Sequence, residues 1–241
     1  MTPGKHIGGH AHLAGVPCSE RGASLIVLLL MLTAVLMLGM SAAYIALHGE
    51  KAARNDRDRQ IALQAAEAAL ADAEQDLEHS SRSHIFAQDK SDGFVAGCNG
   101  GQIGLYLGLC RRAGDGLAPV WLTVDFLSHD DNVTVPYGRF TGRPFQSGKG
   151  MLTARYPRYV IELMSHDLSS KTDEDETKSN SVYFYRITAI GFGMRDSTRV
   201  VLQSYYRKND GANRQAAVPE GRFGWREILN WQELRNARAN K

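Results

Sequence analysis

Histidine is the side chain best suited to proton transfer near neutral pH, and its positions in this sequence do not suggest a catalytic site. Those after residue 50 are scattered: His79, His84, His129 and His166. No Ser or Cys near them has the setting of an activated nucleophile. The chain has no G-x-S-x-G, H-E-x-x-H or P-loop motif, and residues 191–193 form only a lone G-x-G. We therefore predict that the protein is not an enzyme.

A run of four carboxylates at residues 173–176 is the one pattern typical of a cation site. Hard cations prefer such oxygen ligands, but the run lacks the spacing and the Gly of an EF-hand loop. We predict that the surrounding segment, residues 167–180, is a solvated loop, with calcium binding as the alternative. His6, His10 and His12 lie in a Gly-rich start that predicts a solvated leader. No metal and no cofactor is predicted.

Two of the three cysteines, Cys98 and Cys110, lie in the part of the chain that follows the long apolar run described below, and Cys18 precedes that run. Their separation would close a short loop, and in an oxidising compartment this pattern predicts a disulfide. Two unpaired thiols or a metal pair are the alternatives. No His or further Cys stands at zinc-ligand spacing from them.

The formal net charge of the 241-residue chain is only +2. A nucleic-acid-binding domain is typically much more basic or has a concentrated basic face. From this balance we predict no nucleic-acid partner.

The elements that position these residues begin with an apolar run at residues 23–47, which contains no Asp, Glu, Lys, Arg or His. At ~1.5 Å per residue, such a helix crosses a bilayer core of ~30 Å. It is too long for the core of a cleaved secretory signal, which is one alternative; a plain signal anchor is the other. Lys5 and Arg21 before the run place the rest of the chain outside the cytoplasm. The interpretation is a leader at residues 1–22 and a transmembrane segment at 23–47.

The helix is predicted to continue to residue 79, because residues 50–78 are rich in good helix formers and the first Pro after the run is Pro119. One face carries an Ala-rich apolar stripe: Leu63, Ala66, Leu70, Ala73 and Leu77. The other faces are predicted to carry the charges: Asp58, Arg59, Glu67, Asp72, Glu74, Asp76 and Glu78. The small side chains allow a sheet or a partner helix to approach closely, and both interpretations remain open.

Residues 80–241 are predicted to form a single exported domain that begins with an irregular stretch, residues 80–116. Four later runs have the composition of half-buried strands: residues 120–127, 156–165, 181–190 and 197–206. Residues 191–196 suit a hairpin turn between the last two. Near the end of the chain, Trp225 and Trp231 are predicted to anchor a short helix or strand to the core. The fold class is therefore α+β, with a long helix packed on an antiparallel sheet.

The residues at the start of the apolar run resemble a known signal. Arg21 and Gly22 are followed directly by Ala23, Ser24 and Leu25, and this resembles the class III signal that prepilin peptidase cuts. The stretch at residues 55–74 is similar to the N-terminal signature of PilX-type type IV pilus assembly proteins. The resemblance implies cleavage after Gly22, N-methylation of Ala23, and a pilin fold.

The resemblance also implies a minor pilin that primes or caps a fibre at the inner membrane. Its expected partners are other minor pilins, the major pilin, prepilin peptidase and the inner-membrane assembly platform. The residues expected in helix–helix assembly are Leu25, Ile26, Val27, Leu28, Leu63, Ala66 and Leu70. Major pilins carry Glu at the position of Val27, so a subunit at the tip is favoured over one in the shaft. A tip-capping pseudopilin of type II secretion and an adhesin-like tip subunit are the alternatives.

Overall fold

A computed structural model describes residues 23–87, 91–98, 104–128, 133–167, 181–208 and 219–239. The leader, with Gly22, and almost all of the acidic segment at 167–180 lie outside the described residues. The chain divides into two compact units, residues 1–52 and 53–241. Helix α1, Ala23–His79, contributes residues to both.

The described elements of the second unit follow α1 in a defined order. Two 3₁₀ turns, Ser83–Phe86 and Ala96–Cys98, lead into β1, Leu109–Arg111, and then α2, Val120–Thr123. The strands β2, Val135–Pro136, β3, Arg158–Asp167, β4, Ser181–Phe192, and β5, Arg199–Arg207, come next. Strand β6, Gly221–Glu227, and helix α3, Trp231–Ala239, end the described chain.

The six strands form one sheet in the order β1-β3-β4-β5-β6, with β2 paired to β3. All pairs are antiparallel except β1 with β3. The hairpin predicted between the third and fourth runs is confirmed as the β4–β5 pair, in which Phe192 faces Arg199. The predicted α+β class, a long apolar helix on a mostly antiparallel sheet, is confirmed.

The sheet carries a separate hydrophobic core on each face. One core lies between α1 and the sheet, and its side chains alternate along the strands, as with Tyr159, Ile161 and Leu163 on β3. The second core packs Val160 and Phe192 under α2, α3 and the region around the two cysteines. Because both faces are covered, the central strands are buried on both sides.

The prediction of a strand at residues 120–127 is wrong, because this segment begins with α2. Pro119 precedes the helix with an extended backbone, and the Val120 amide is bonded to the buried carboxylate of Glu162. Val120 and Trp121 bury their side chains in the second core. The β-forming composition therefore reflects burial rather than strand pairing.

The two tryptophan predictions differ in outcome. Trp231 is buried at the start of α3 and packs edge-to-face on Phe126, so its anchoring role is confirmed. Trp225 lies on the edge strand β6 and is 49% exposed, so the prediction that it anchors the core is wrong. A strand at the edge of a sheet has a neighbouring strand on one side only. Its side chains are therefore covered by neighbours on that side and remain open on the other.

Candidate assembly surface on the long helix

The apolar half of α1 is the largest exposed hydrophobic feature of the described chain. Every large apolar side chain from Leu25 to Leu47 is 55–74% exposed, on all sides of the helix. Among the described residues, α1 is the one helix that is long and apolar enough to cross a membrane. A helix that is apolar all round requires a non-aqueous partner, either lipid or other helices.

The predicted assembly residues near the start of the helix lie within this apolar half. Ala23 is the first residue of α1, and Gly22 lies outside the described residues. Exposed side chains follow directly after it: Leu25, Ile26, Val27 and Leu28. Their role in bundling stays a prediction.

The remaining predicted assembly residues lie in the domain half of α1 and have different surroundings. Ala66 and Leu70 are fully buried in the core between α1 and the sheet, and Leu63 packs partly buried against the same core. Ala66 and Leu70 expose no surface, because they pack against the domain's own sheet. The assembly role predicted for these two residues is therefore not supported. The stripe is therefore an intramolecular contact in this fold.

The sheet approaches α1 most closely at Gly191 on β4. A Cβ atom added there would lie 2.1 Å from the carbonyl oxygen of Ala62 and 2.3 Å from the amide nitrogen of Ala66. Such distances are far below van der Waals contact, so only hydrogen fits at this position. The expected close approach at the Ala-rich stripe is thereby confirmed, and the lone G-x-G at 191–193 has a packing reason.

The second glycine of that pair lies against Asp58, whose carboxylate holds the β4–β5 turn on the helix. Asp58 accepts the Met194 amide at 2.5 Å, the Thr198 hydroxyl at 2.6 Å and the Arg195 guanidinium at 3.0 Å. A Cβ at Gly193 would lie 2.2 Å from the Asp58 Oδ1 atom. Burial raises the pKa of Asp58, but the bonds from Thr198, Arg195 and Met194 outweigh it, and the pKa is below the ordinary value of 3.8.

Replacing this carboxylate should reduce stability in a pH-dependent way. A lowered folded pKa means that the carboxylate contributes stability above about pH 4, and that this contribution is lost as the pH falls through the folded pKa. Asp58→Asn is expected to cost about 2 kcal/mol at pH 7, through mispaired buried donors, and less near pH 3. Urea unfolding of the full-length chain in detergent at both pH values measures this.

Asp56→Asn is the matched control, because Asp56 is exposed and, in the described part of the chain, accepts a single long bond, from Gln60 at 3.4 Å. It should leave the free energy of unfolding unchanged within about 0.5 kcal/mol. An Asp58→Asn loss that is the same at both pH values would contradict the assignment of the lowered pKa to Asp58.

Asp72 lies two helical turns after Ala65 on α1. Its carboxylate holds a second loop against the helix. Its carboxylate accepts the Gly138 amide at 2.8 Å and a short hydrogen bond from the Thr141 hydroxyl. Burial raises the pKa of Asp72, and the nearby charge of Asp76 adds to the increase. These bonds fix the turn at residues 138–143 on the helix.

Asp76 is the centre of a fully buried charged cluster. Arg82 forms a bidentate ion pair with it, with nitrogen–oxygen distances of 2.5–3.1 Å, and both side chains are fully buried. Arg82 also donates to the carbonyls of Leu105 and Leu107, each at 2.7 Å. Tyr159 on β3 donates its hydroxyl to Asp76 at 2.8 Å. Burial, and then the Asp76 charge, raise the pKa of Tyr159 well above its ordinary value.

The prediction that Asp58, Asp72 and Asp76 lie on the faces away from the core is wrong, because all three are buried. The sequence does contain a signal for their burial. The three aspartates belong to one series with three alanines at helical spacings of three and four: Asp58, Ala62, Ala65, Ala69, Asp72 and Asp76. They therefore lie in line with small buried residues, where a carboxylate can reach the sheet and the loops.

The other charged residues of α1 are on its accessible flank, as predicted. Arg222 on β6 bridges Glu67 and Glu74, and Arg59 pairs with Glu227. Because these side chains are partly solvated, each pair contributes little to stability. The buried aspartates are the stronger attachments between α1 and the sheet.

Cys98 and Cys110 form a disulfide, and both side chains are buried in the second core. The bond joins two residues that are 12 positions apart in the sequence, and it links the second 3₁₀ turn to β1. Within the described ranges, no group of three His, Cys, Asp or Glu side chains is placed to hold a metal ion.

Two family models match the chain. One, described as "Type IV pilus assembly protein PilX C-term", matches residues 106–208. The other, described as "PilX N-terminal", matches residues 21–71. Together they cover more than half of the chain. Neither the comparison with curated proteins nor that with solved structures gives a match.

Proposed function

The chain belongs to the PilX family of type IV pilus assembly proteins, and from that premise we propose that it is an inner-membrane minor pilin that primes or caps the fibre. The family is a structural component of pili, and the protein acts without catalysis. Its apolar helix joins the helices of other minor pilins, which lowers the cost of starting a fibre. The exported domain determines which neighbours fit.

The observation that carries this proposal is the exposure of the apolar half of α1. Its large side chains from Leu25 to Leu47 are at least 55% exposed, and residues 24–46 include no charge. Burying such side chains is worth about 25 cal/mol per Å² of apolar surface, so the helix favours lipid or a helix bundle over water. Transfer from one apolar environment to the other costs little hydrophobic energy, which makes extraction into a fibre feasible.

Maturation follows from the residues at the edge of this helix. Prepilin peptidase removes residues 1–22 by cutting after Gly22, and Ala23 becomes the N-methylated start of the chain. The cut falls on the cytoplasmic side of the apolar run, so residues 23–47 remain as a membrane anchor. Residues 80–241 then form the periplasmic domain.

Val27, which stands where major pilins carry Glu, supports a position at the tip. Val cannot form the charge pair with the terminal amine of a neighbouring subunit, so a repeated position in the shaft is disfavoured. The partners in this scheme are other minor pilins, the major pilin and the inner-membrane assembly platform.

Mass spectrometry of the mature chain tests the proposal. We expect a mass that corresponds to a start at Ala23 with one methyl group, and a protein that fractionates with the inner membrane and with sheared pili. Gly22→Ala is expected to leave an uncleaved precursor that does not enter pili. Gly49→Ala is the control, because it lies beyond the apolar run with open space around it and should be processed normally.

A start elsewhere than Ala23, or a periplasmic form without residues 23–47, would contradict the proposal. Deletion of the gene separates the alternatives. Loss of pili supports a priming or capping role, whereas loss of protein secretion with intact pili would indicate a type II secretion pseudopilin. Normal numbers of pili that no longer adhere would indicate an adhesin-like subunit.

A further inference from the structure

The segment between Asp131 and Glu162 has a charge composition unlike the rest of the chain. It contains five cations and no acidic residue: Arg139, Arg143, Lys149, Arg155 and Arg158. The net charge of +2 for the whole chain conceals this concentration, and the prediction of no nucleic-acid partner rested on that net charge. Aromatic residues are interleaved with the cations, and the described structure shows how the two are arranged.

Two tight turns carry the exposed cations. In the first, the Gly142 amide donates to the Gly138 carbonyl at 2.8 Å, and a Cβ at Gly138 would lie 2.2 Å from the Arg143 carbonyl oxygen. Arg139 and Arg143 are exposed on this turn, which Asp72 attaches to α1 through Gly138 and Thr141. The cations therefore extend from a rigid backbone.

The second turn is closed by the Gly148 amide, which donates to the Thr153 carbonyl at 2.8 Å, and it carries the exposed Lys149. A row of rings links the two turns. The ring centroids of Tyr137 and Phe145 are 4.9 Å apart, and those of Phe145 and Tyr156 are 5.8 Å apart. Tyr156, at one end of the row, is 45% exposed.

The five cations divide into two groups by their partners. Arg155 pairs with Asp196 at 2.5 Å, and Arg158 donates to the Thr134 hydroxyl at 3.1 Å. Among the described residues, Arg139 and Lys149 have no carboxylate within ion-pair distance, and the Arg143 guanidinium lies 5.9 Å from the Tyr137 ring centroid. Arg139 and Lys149 are thus available to an external anion, and Arg143 is exposed as well, although its charge also acts on Asp72.

We propose that this surface, formed by Tyr137, Arg139, Arg143, Phe145, Lys149 and Tyr156, binds single-stranded nucleic acid. Unpaired Arg and Lys side chains attract phosphates, and the release of counterions favours binding. The Tyr156 ring, which is the exposed ring of the row, can stack on an unpaired base in a way that tolerates any sequence, because every base has a π-face. A duplex hides its base faces, so the ring row favours a single strand. The inference is independent of the role in pilus assembly.

Fluorescence anisotropy with a labelled oligothymidylate of about 20 nucleotides and the full-length chain in neutral detergent tests the proposal. We expect binding that weakens as salt increases. The triple change Arg139→Ala, Arg143→Ala and Lys149→Ala should weaken binding about tenfold or more, and should reduce the slope of log K against log salt by about 2. Arg238→Ala, an exposed cation on α3, is the control and should bind normally.

The ring row is tested separately. Tyr156→Ala should weaken binding about fivefold or more with the salt slope unchanged, because stacking is lost while the phosphate contacts remain. Tyr156→Phe retains the ring and should bind like the unchanged chain, which separates stacking from any role of the hydroxyl.

Three results would overturn the proposal. The first is no anisotropy change with the unchanged chain at low salt, and the second is unaltered binding by the triple variant. The third is equally tight binding of a duplex of the same length, which would assign the surface to phosphates alone. Preference for anionic phosphatidylglycerol micelles over neutral ones, lost in the triple variant while the oligonucleotide does not bind, would instead assign it to lipid headgroups.

Discussion

Gly191→Ala is expected to lower the free energy of unfolding of the domain by at least about 3 kcal/mol. The added methyl group would meet the Ala62 carbonyl and the Ala66 amide, and both belong to the backbone of α1. Neither can rotate away, so the helix and β4 must separate along the core that they share. Urea unfolding followed by the fluorescence of the buried Trp121 and Trp231 should show a midpoint about 1.5 M lower.

Gly104→Ala is the matched control for this prediction. No atom lies within 4 Å of the position that a Cβ would take at Gly104, and its φ is not in the left-handed region. The substitution should change the free energy of unfolding by no more than about 0.5 kcal/mol. A midpoint for Gly191→Ala close to that of Gly104→Ala would show that the close approach of β4 to α1 is not needed for stability.

Arg82→Met is expected to lower the free energy of unfolding by about 3–5 kcal/mol. This loss should exceed that of Arg82→Met combined with Asp76→Asn. Met fills a similar volume but leaves the Asp76 carboxylate without a counter-ion in a fully buried position. The carbonyls of Leu105 and Leu107 also lose their donor. Among the residues that the structure describes, only the Tyr159 hydroxyl then still donates to Asp76. The same urea titration at pH 7 measures the loss.

A double substitution separates the lost charge pair from lost packing. Asp76→Asn combined with Arg82→Met removes the uncompensated charge and should recover part of the stability, so the two changes are not additive. Arg112→Met is the control, because Arg112 pairs with Asp115 at the surface and its side chain is 54% exposed. Its effect should not exceed about 1 kcal/mol. Equal stability of Arg82→Met and the unchanged chain would contradict a role of the buried ion pair in stability.

The attachments of α1 have a common pattern that bears on pilus assembly. Asp58 holds the β4–β5 turn, Asp72 holds the turn at 138–143, and Asp76 with Arg82 holds the segment around Leu105 and Leu107. One face of the helix is therefore bonded to three separate parts of the domain. Its domain half is bonded to the sheet and loops, and its apolar half has the exposed surface that we propose for assembly.

Local signals in the sequence were sufficient for the parts of the fold that depend on neighbours in the chain. The apolar run at 23–47, the helical composition up to residue 79 and the hairpin at 191–196 were predicted because composition and short-range spacing dictate them. The stretch at 120–127 was misread as a strand. Burial selects Val, Trp and Leu in a short helix as readily as in a strand, and periodicity over four residues cannot separate the two.

The sequence by itself determined the long apolar helix, the stripe of small residues and the class of protein, since these depend on residue type and on spacing along one element. Only the tertiary structure decided which charges are buried and which cations gather on one surface. Asp58 and Asp56 have the same side chain and lie two residues apart on one helix. Spacing puts Asp58 in line with the alanines, but its burial follows only from a turn that begins more than 130 residues later, and Asp56 faces solvent. Burial depends on contacts between distant segments, and a carboxylate enters the interior only where those segments supply its donors.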